Sequence, residues 1–151
     1  MESDEYYMGL ALQAAREAQE AGEVPVGAVL VKDGAVLAAA GNTTRTQTDP
    51  AGHAEINVLR AGAQALGNYR LTGCTLFVSL EPCAMCAGAI SHARIERLVI
   101  GASDPKGGAV WHGSRFFETD ICHWRPHVDE GPLASEASAL LKAFFKARRA
   151  R

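Results

Sequence analysis

The 151-residue chain has no apolar run longer than a strand, no low-complexity tract and no internal repeat. The first absence leaves nothing long enough to cross a membrane as a helix. The other two exclude solenoids and disordered tails. Charge of one sign is not in excess, with 15 Lys and Arg against 17 Asp and Glu, so a broadly basic coat is excluded. The start, Met1-Glu2-Ser3-Asp4-Glu5, is acidic and lacks the basic and apolar pattern of a secretion signal, which predicts a cytoplasmic protein. There are only four cysteines, and in a reducing compartment they suit a metal site plus spare thiols better than a disulfide framework. A chain of this length builds one domain with a proper core, here taken as residues 1–151.

What is present reads as alternating helices and strands. Ser3 can cap a first helix that Gly22 ends. Val24 to Val31 and Ala35 to Ala40 form a hairpin about Asp33-Gly34. Gly41 to Gly52 is loop, and a helix follows from about His53 to Leu66. Cys74 to Leu80 is a buried strand, Cys83 to Ala93 a helix with Pro82 just inside its start, and Leu98 to Gly101 a short strand. Residues 103–131 have no clear period, and Leu133 to Arg149 is a last helix. This order predicts an α/β fold of three layers, a mixed sheet with helices on both faces.

His53-Ala54-Glu55 and, about thirty residues on, Pro82-Cys83-Ala84-Met85-Cys86 carry the chemistry. One histidine and two cysteines make three protein ligands and leave one position of a tetrahedral zinc open, as in hydrolytic rather than structural sites. A helix start favours the thiolate form that a metal needs. Zinc with two thiolates and a neutral imidazole sums to no net charge, so it activates water weakly. A neighbouring base is then needed, and Glu55 is the candidate. A closed structural site would require Cys74 or Cys122 as a fourth ligand. Cys122, His123, His127 and His112 could suggest a second metal, although lining of a loop or pocket suits their irregular spacing better.

His-x-Glu with Pro-Cys-x-x-Cys is the zinc deaminase signature, and the chain resembles the bacterial tRNA-specific adenosine deaminases over nearly its whole length. Glu23-Val24-Pro25-Val26-Gly27-Ala28-Val29, Asn42, Asp49-Pro50, Asn68-Tyr69-Arg70-Leu71, Leu80-Glu81-Pro82-Cys83 and Phe144-Phe145-Lys146-Ala147-Arg148-Arg149 carry the likeness. The resemblance implies a cytidine-deaminase fold, one zinc per subunit held by His53, Cys83 and Cys86, and Glu55 as proton shuttle. It implies substrate contacts at Asn42, at the main chain near Ala54 and Leu80, at Asp104, and at Phe145 and Arg148 on the last helix. It also implies a homodimer acting on a tRNA anticodon stem-loop, turning adenosine to inosine at the wobble position by hydroxide attack on adenine C6. The departures are Gly52 before His53 and the segment from Gly107 to His127, where Trp111, Phe116, Phe117 and Trp124 replace a run of small residues. These aromatics could stack a base, although core or dimer contact is their commoner use. The rival reading is a deaminase of a free base or nucleoside such as guanine, cytosine or cytidine. A non-catalytic RNA-binding protein is the third. The basic end from Lys142 to Arg151 suits either RNA contact or a solvated helix terminus.

Overall fold

Strands that are apolar on both faces need a cover on each side, and helices supply both covers. A computed structural model of the chain describes residues 2–149; Met1, Ala150 and Arg151, the last counted above with the basic end, lie outside the described residues. The elements are α1 (Asp4–Glu20), β1 (Gly27–Lys32), β2 (Ala35–Gly41), α2 (Ala54–Leu66), β3 (Thr75–Leu80), α3 (Ala84–Ala93), β4 (Arg97–Ala102), β5 (His127–Glu130) and α4 (Ala134–Arg149). The sheet order is β2-β1-β3-β4-β5. β1 runs antiparallel to β2 and β3, and β3, β4 and β5 run parallel.

Alternate residues of the central strands face opposite layers. Ala28, Leu30, Leu76, Val78, Leu98 and Ile100 pack with Val58, Leu59, Ala87 and Ile90 of α2 and α3. Val29, Val31, Phe77 and Val99 face the other way, onto Tyr7, Met8 and Ala11 of α1. α4 lies beside α1 through Leu12, Ala102 and Ala137. Each of the larger side chains contributes roughly 1.5–3 kcal/mol by leaving water. The three-layer arrangement expected from the sequence is the one found.

Local chemistry explains most boundaries. The Ser3 hydroxyl accepts from the Tyr6 N–H at 3.2 Å, and Gly22 at φ 88° follows the end of α1. Asp33 and Gly34 both have positive φ, as a two-residue hairpin turn of this hand requires. The strand predicted from Val24 begins only at Gly27. Pro25 has no N–H for a ladder, and the Val26 N–H turns back to the Val24 carbonyl at 2.8 Å. Pro82 precedes the N-cap of α3 rather than sitting within its first turn. Leu133 stands outside α4 at φ 65°.

β5 was not anticipated. Its sequence, His127-Val128-Asp129-Glu130, is short and polar because it pairs on one side only, with β4. Before it, residues 103–126 form loops and a 3₁₀ turn at Phe116–Glu118. Phe117 is buried, and Trp111 and Phe116 pack against the α2–α3 core. The Trp124 indole N–H donates to the Ile95 carbonyl at 2.7 Å. Trp111, Phe116 and Phe117 of this segment thus pack within the chain.

Candidate metal centre and cleft

Both halves of the motif pair sit at helix starts at the same end of the sheet. His53 is the N-cap of α2, with φ −74° and ψ 154°. Cys83 is the N-cap of α3, equally extended at φ −75° and ψ 177°. The extended backbone at His53 resolves the difficulty of two residues that would diverge on a regular helix. His53 lies outside the helical rotation and Glu55 inside it. Cys83 and Cys86 occupy the N-cap and N3 positions, the pair that meets in a capping box, so the Cys-x-x-Cys spacing converges by local geometry alone.

The His53 Nδ1 atom lies 3.5 Å from the Cys83 Sγ and 3.5 Å from the Cys86 Sγ. All three donor atoms fall within 4.8 Å of one another. A tetrahedral zinc with ordinary bond lengths to sulfur and nitrogen requires an N···S edge of about 3.6 Å. The donors therefore fit the ion, with Nδ1 as the histidine ligand. Among the described residues this is the one group of three or more such side chains that could hold a metal. Cys74 and Cys122 are buried elsewhere as free thiols. Cys122 donates to the Trp124 carbonyl at 3.0 Å, His127 pairs with Asp129 at 3.0 Å, and His112 turns to Glu81. The cysteine and these two histidines of residues 112–127 thus point to separate partners.

The electrostatics of the pocket follow from proximity and burial. The hydrogen bond from Cys86 pulls the Cys83 thiol down to about 4, helped by His53 and the helix start. The same contact, with burial, pushes the Cys86 thiol up. Two thiols sharing one proton give it up to solvent when a metal binds both sulfurs as thiolates. The Cys83 bond likewise raises His53. Glu55 is 4% exposed, and burial pushes its carboxyl up to about 7. A carboxyl that holds or releases a proton near neutrality suits proton transfer.

His53, Glu55 and Cys83 form the floor of an open cleft of about 850 Å³, within the range of roughly 300–1,000 Å³ usual for small-molecule sites. Asn42, Leu80, Asp104 and Phe145 also line it, as do Lys106, Lys142 and Arg149. Ala54 is fully buried, and its N–H is taken by the Asn42 Oδ1 at 2.8 Å. Arg148 lies off the cleft, its guanidinium 5.4 Å from the centre of the Phe144 ring. The cations that do reach the rim are not among the site residues expected from the sequence. A signal for two of them exists, since Lys142, Phe145 and Arg149 recur at i, i+3 and i+7 and so share one helix face.

The profile of the cytidine and deoxycytidylate deaminase zinc-binding region matches residues 1–102. A tRNA-specific adenosine deaminase of Agrobacterium fabrum is 54% identical over 144 residues, which is 95% of this chain and 95% of that one. A structure solved in studies of A-to-I editing by tRNA:A34 deaminases superposes with a TM-score of 0.89 at 55% identity, covering 90% of this chain and 99% of the other. A guanine deaminase from Bacillus subtilis superposes less closely, at a TM-score of 0.67 and 31% identity, covering 99% and 96%.

Proposed function

This chain belongs to the cytidine and deoxycytidylate deaminase family, and from that premise we propose that it deaminates adenosine to inosine at the wobble position of tRNA. Water and adenosine are consumed; inosine and ammonia are formed. The observation that carries the reading is the convergence of His53, Cys83 and Cys86 beside the buried Glu55 on the floor of a cation-rimmed cleft. The greater likeness to a tRNA:A34 deaminase than to a guanine deaminase favours an RNA-borne adenosine over a free base.

His53 Nδ1 and the two thiolates would hold the zinc, which supplies Lewis acidity that makes water a usable nucleophile at neutral pH. Glu55 takes the proton released by the attacking water. It then returns protons to the ring nitrogen and to the departing amino group. The open side of the cleft admits a base that has been unstacked, which a loop permits at little cost. Asn42, Leu80 and Asp104 line the approach to the reacting atoms, and Ala54 is tied behind them through Asn42. Phe145 offers a partly exposed ring at the mouth, and Arg148 extends the basic face of α4 next to it.

Residues 1–151 form one deaminase domain in this reading, working as a homodimer in the cytoplasm. The two last points rest on the resemblance to the bacterial enzymes; no helix among the described residues is long and apolar enough to cross a membrane. The test offers purified protein an arginine-tRNA anticodon stem-loop and, separately, free guanine, cytosine, adenosine and cytidine. Inosine in the RNA without turnover of the free compounds supports the assignment. Turnover of a free compound with unchanged RNA overturns it in favour of the rival. Sedimentation velocity at micromolar concentration tests the dimer.

A further inference from the structure

The segment that walls one side of the cleft is wound around a single buried carboxylate. The Glu81 side chain has no exposed surface. Its Oε1 accepts from the Asp104 N–H at 2.9 Å and pairs with the His112 Nδ1 at 2.8 Å. Its Oε2 accepts from the N–H groups of Val110, Trp111 and His112 at 3.1, 2.9 and 3.2 Å. A Cβ at Gly108 would overlap this carboxylate, so only glycine lets the chain close around it. The Ala109 N–H then donates to the Pro82 carbonyl at 2.9 Å. Within the loop the Asp104 Oδ1 takes the N–H groups of Lys106 and Gly107 at 3.2 and 3.0 Å.

We propose that Glu81 is a positioning residue that sets where Asp104 and Lys106 stand over the cleft, and that His112 locks it in place. Burial of a carboxylate is costly unless all its acceptor sites are filled. Here the donors are directional and mostly main chain, so satisfying the charge and placing the segment are one event. Glu81 follows directly on Leu80 and lies two residues before Cys83. The rim of the cleft and its floor therefore hang from the same short stretch, and the distance between base carrier and reacting atoms is set there. Glu81 borders the cleft, but its carboxylate is sealed among the donors of the segment.

This inference deepens the functional reading above and rests on it. Glu81→Gln keeps the volume but aims an NH₂ group at N–H donors on whichever side it points, so it frees the segment. The amides of Val110, Trp111 and His112 should then exchange with deuterium at least tenfold faster, each tenfold corresponding to the loss of about 1.4 kcal/mol of local protection. KM should rise about tenfold while kcat changes less than about threefold, the pattern of weakened binding with the chemistry intact. Zinc content should stay at one per chain. His112→Ala should move KM in the same direction. His112→Asn, whose carboxamide N–H can replace the Nδ1–H, should restore it.

Faster amide exchange with unchanged KM would overturn the proposal and leave Glu81 as a packing residue. Loss of zinc from Glu81→Gln, with both His112 variants like the wild type, would also overturn it by placing the effect at the floor. Should the wild type turn over a free base and not the stem-loop, the functional reading fails separately. The KM comparison is then run on that base, because the same wall lines its path. If Glu81→Gln does not fold, the contrast between His112→Ala and His112→Asn decides the matter.

Discussion

At the scale of single residues, Glu55 carries the sharpest expectation. It is nearly sealed from solvent, and its carboxyl sits at about 7 because burial opposes its charge. It supplies no donor atom to the His53–Cys83–Cys86 group. Glu55→Gln should therefore retain zinc while kcat falls by roughly 10²–10⁴-fold, the range for removal of a general acid–base. Inosine formation followed by mass spectrometry, with zinc measured by atomic absorption, checks both halves. Loss of zinc alongside activity would instead make Glu55 part of the metal shell. Unchanged turnover with zinc retained would mean that Glu55 is not the group that moves the proton.

At the scale of elements, two contacts fix how helices and edge strands meet the sheet. α1 crosses β1 at Gly27, where a Cβ would meet the Ala11 carbonyl and come within 2.6 Å of the Ala15 nitrogen. Gly27→Ala should cost roughly 1–3 kcal/mol, as overpacked sites do, read from the urea midpoint. Arg97 on β4 ties the start of α1 to β5, reaching Asp4 and Asp129 at 2.7 Å each. Hydrogen bonds from Arg97 hold both carboxyls below their ordinary value of 3.8. A depressed carboxyl stabilises above its unfolded pKa, and that stability is lost as pH falls through the folded one. Both aspartates are about a third or more exposed, so solvent screening limits the gain to about 1 kcal/mol. Arg97→Met should thus be less stable than the wild type at pH 7. The gap should close below the ordinary aspartate range. Melting curves from neutral pH down through that range test the sign: a gap that persists in acid would remove the ion pairs as its cause.

At the scale of the whole molecule, net charge is slightly negative, yet Lys106, Lys142 and Arg149 gather at one cleft. A local cationic rim on a mildly acidic body attracts a phosphate backbone at one place only. Replacing Lys142 and Arg149 with alanine together should weaken stem-loop binding. It should also flatten the dependence of log K on log salt, by about 0.7 for each single-strand phosphate that the rim no longer neutralises. Turnover of any small substrate should change less. An unchanged salt slope would mean that the rim does not meet the phosphates. Glu81 and Glu23 belong to this scale as well. Glu23, buried at 1% exposure, accepts from Thr44, Arg45 and Thr46 on the opposite loop.

The Cys-x-x-Cys pair, the carboxyl two residues after His53 and the layered fold were legible in the sequence because each follows from local pattern. Cys83 and Cys86 meet through the geometry of one helix start, and apolar runs bounded by Asp33-Gly34 and Gly41 mark strands wherever they lie. β5 was not legible, since an edge strand pairs on one side and needs little apolar character. Nor was the role of Glu81, whose partners lie 23 to 31 residues away, or the choice of Arg149 over Arg148 at the rim. Those outcomes depend on which segments pack together. A carboxylate finds its donors, and a cation its cleft, only when the sheet has brought distant loops to one edge.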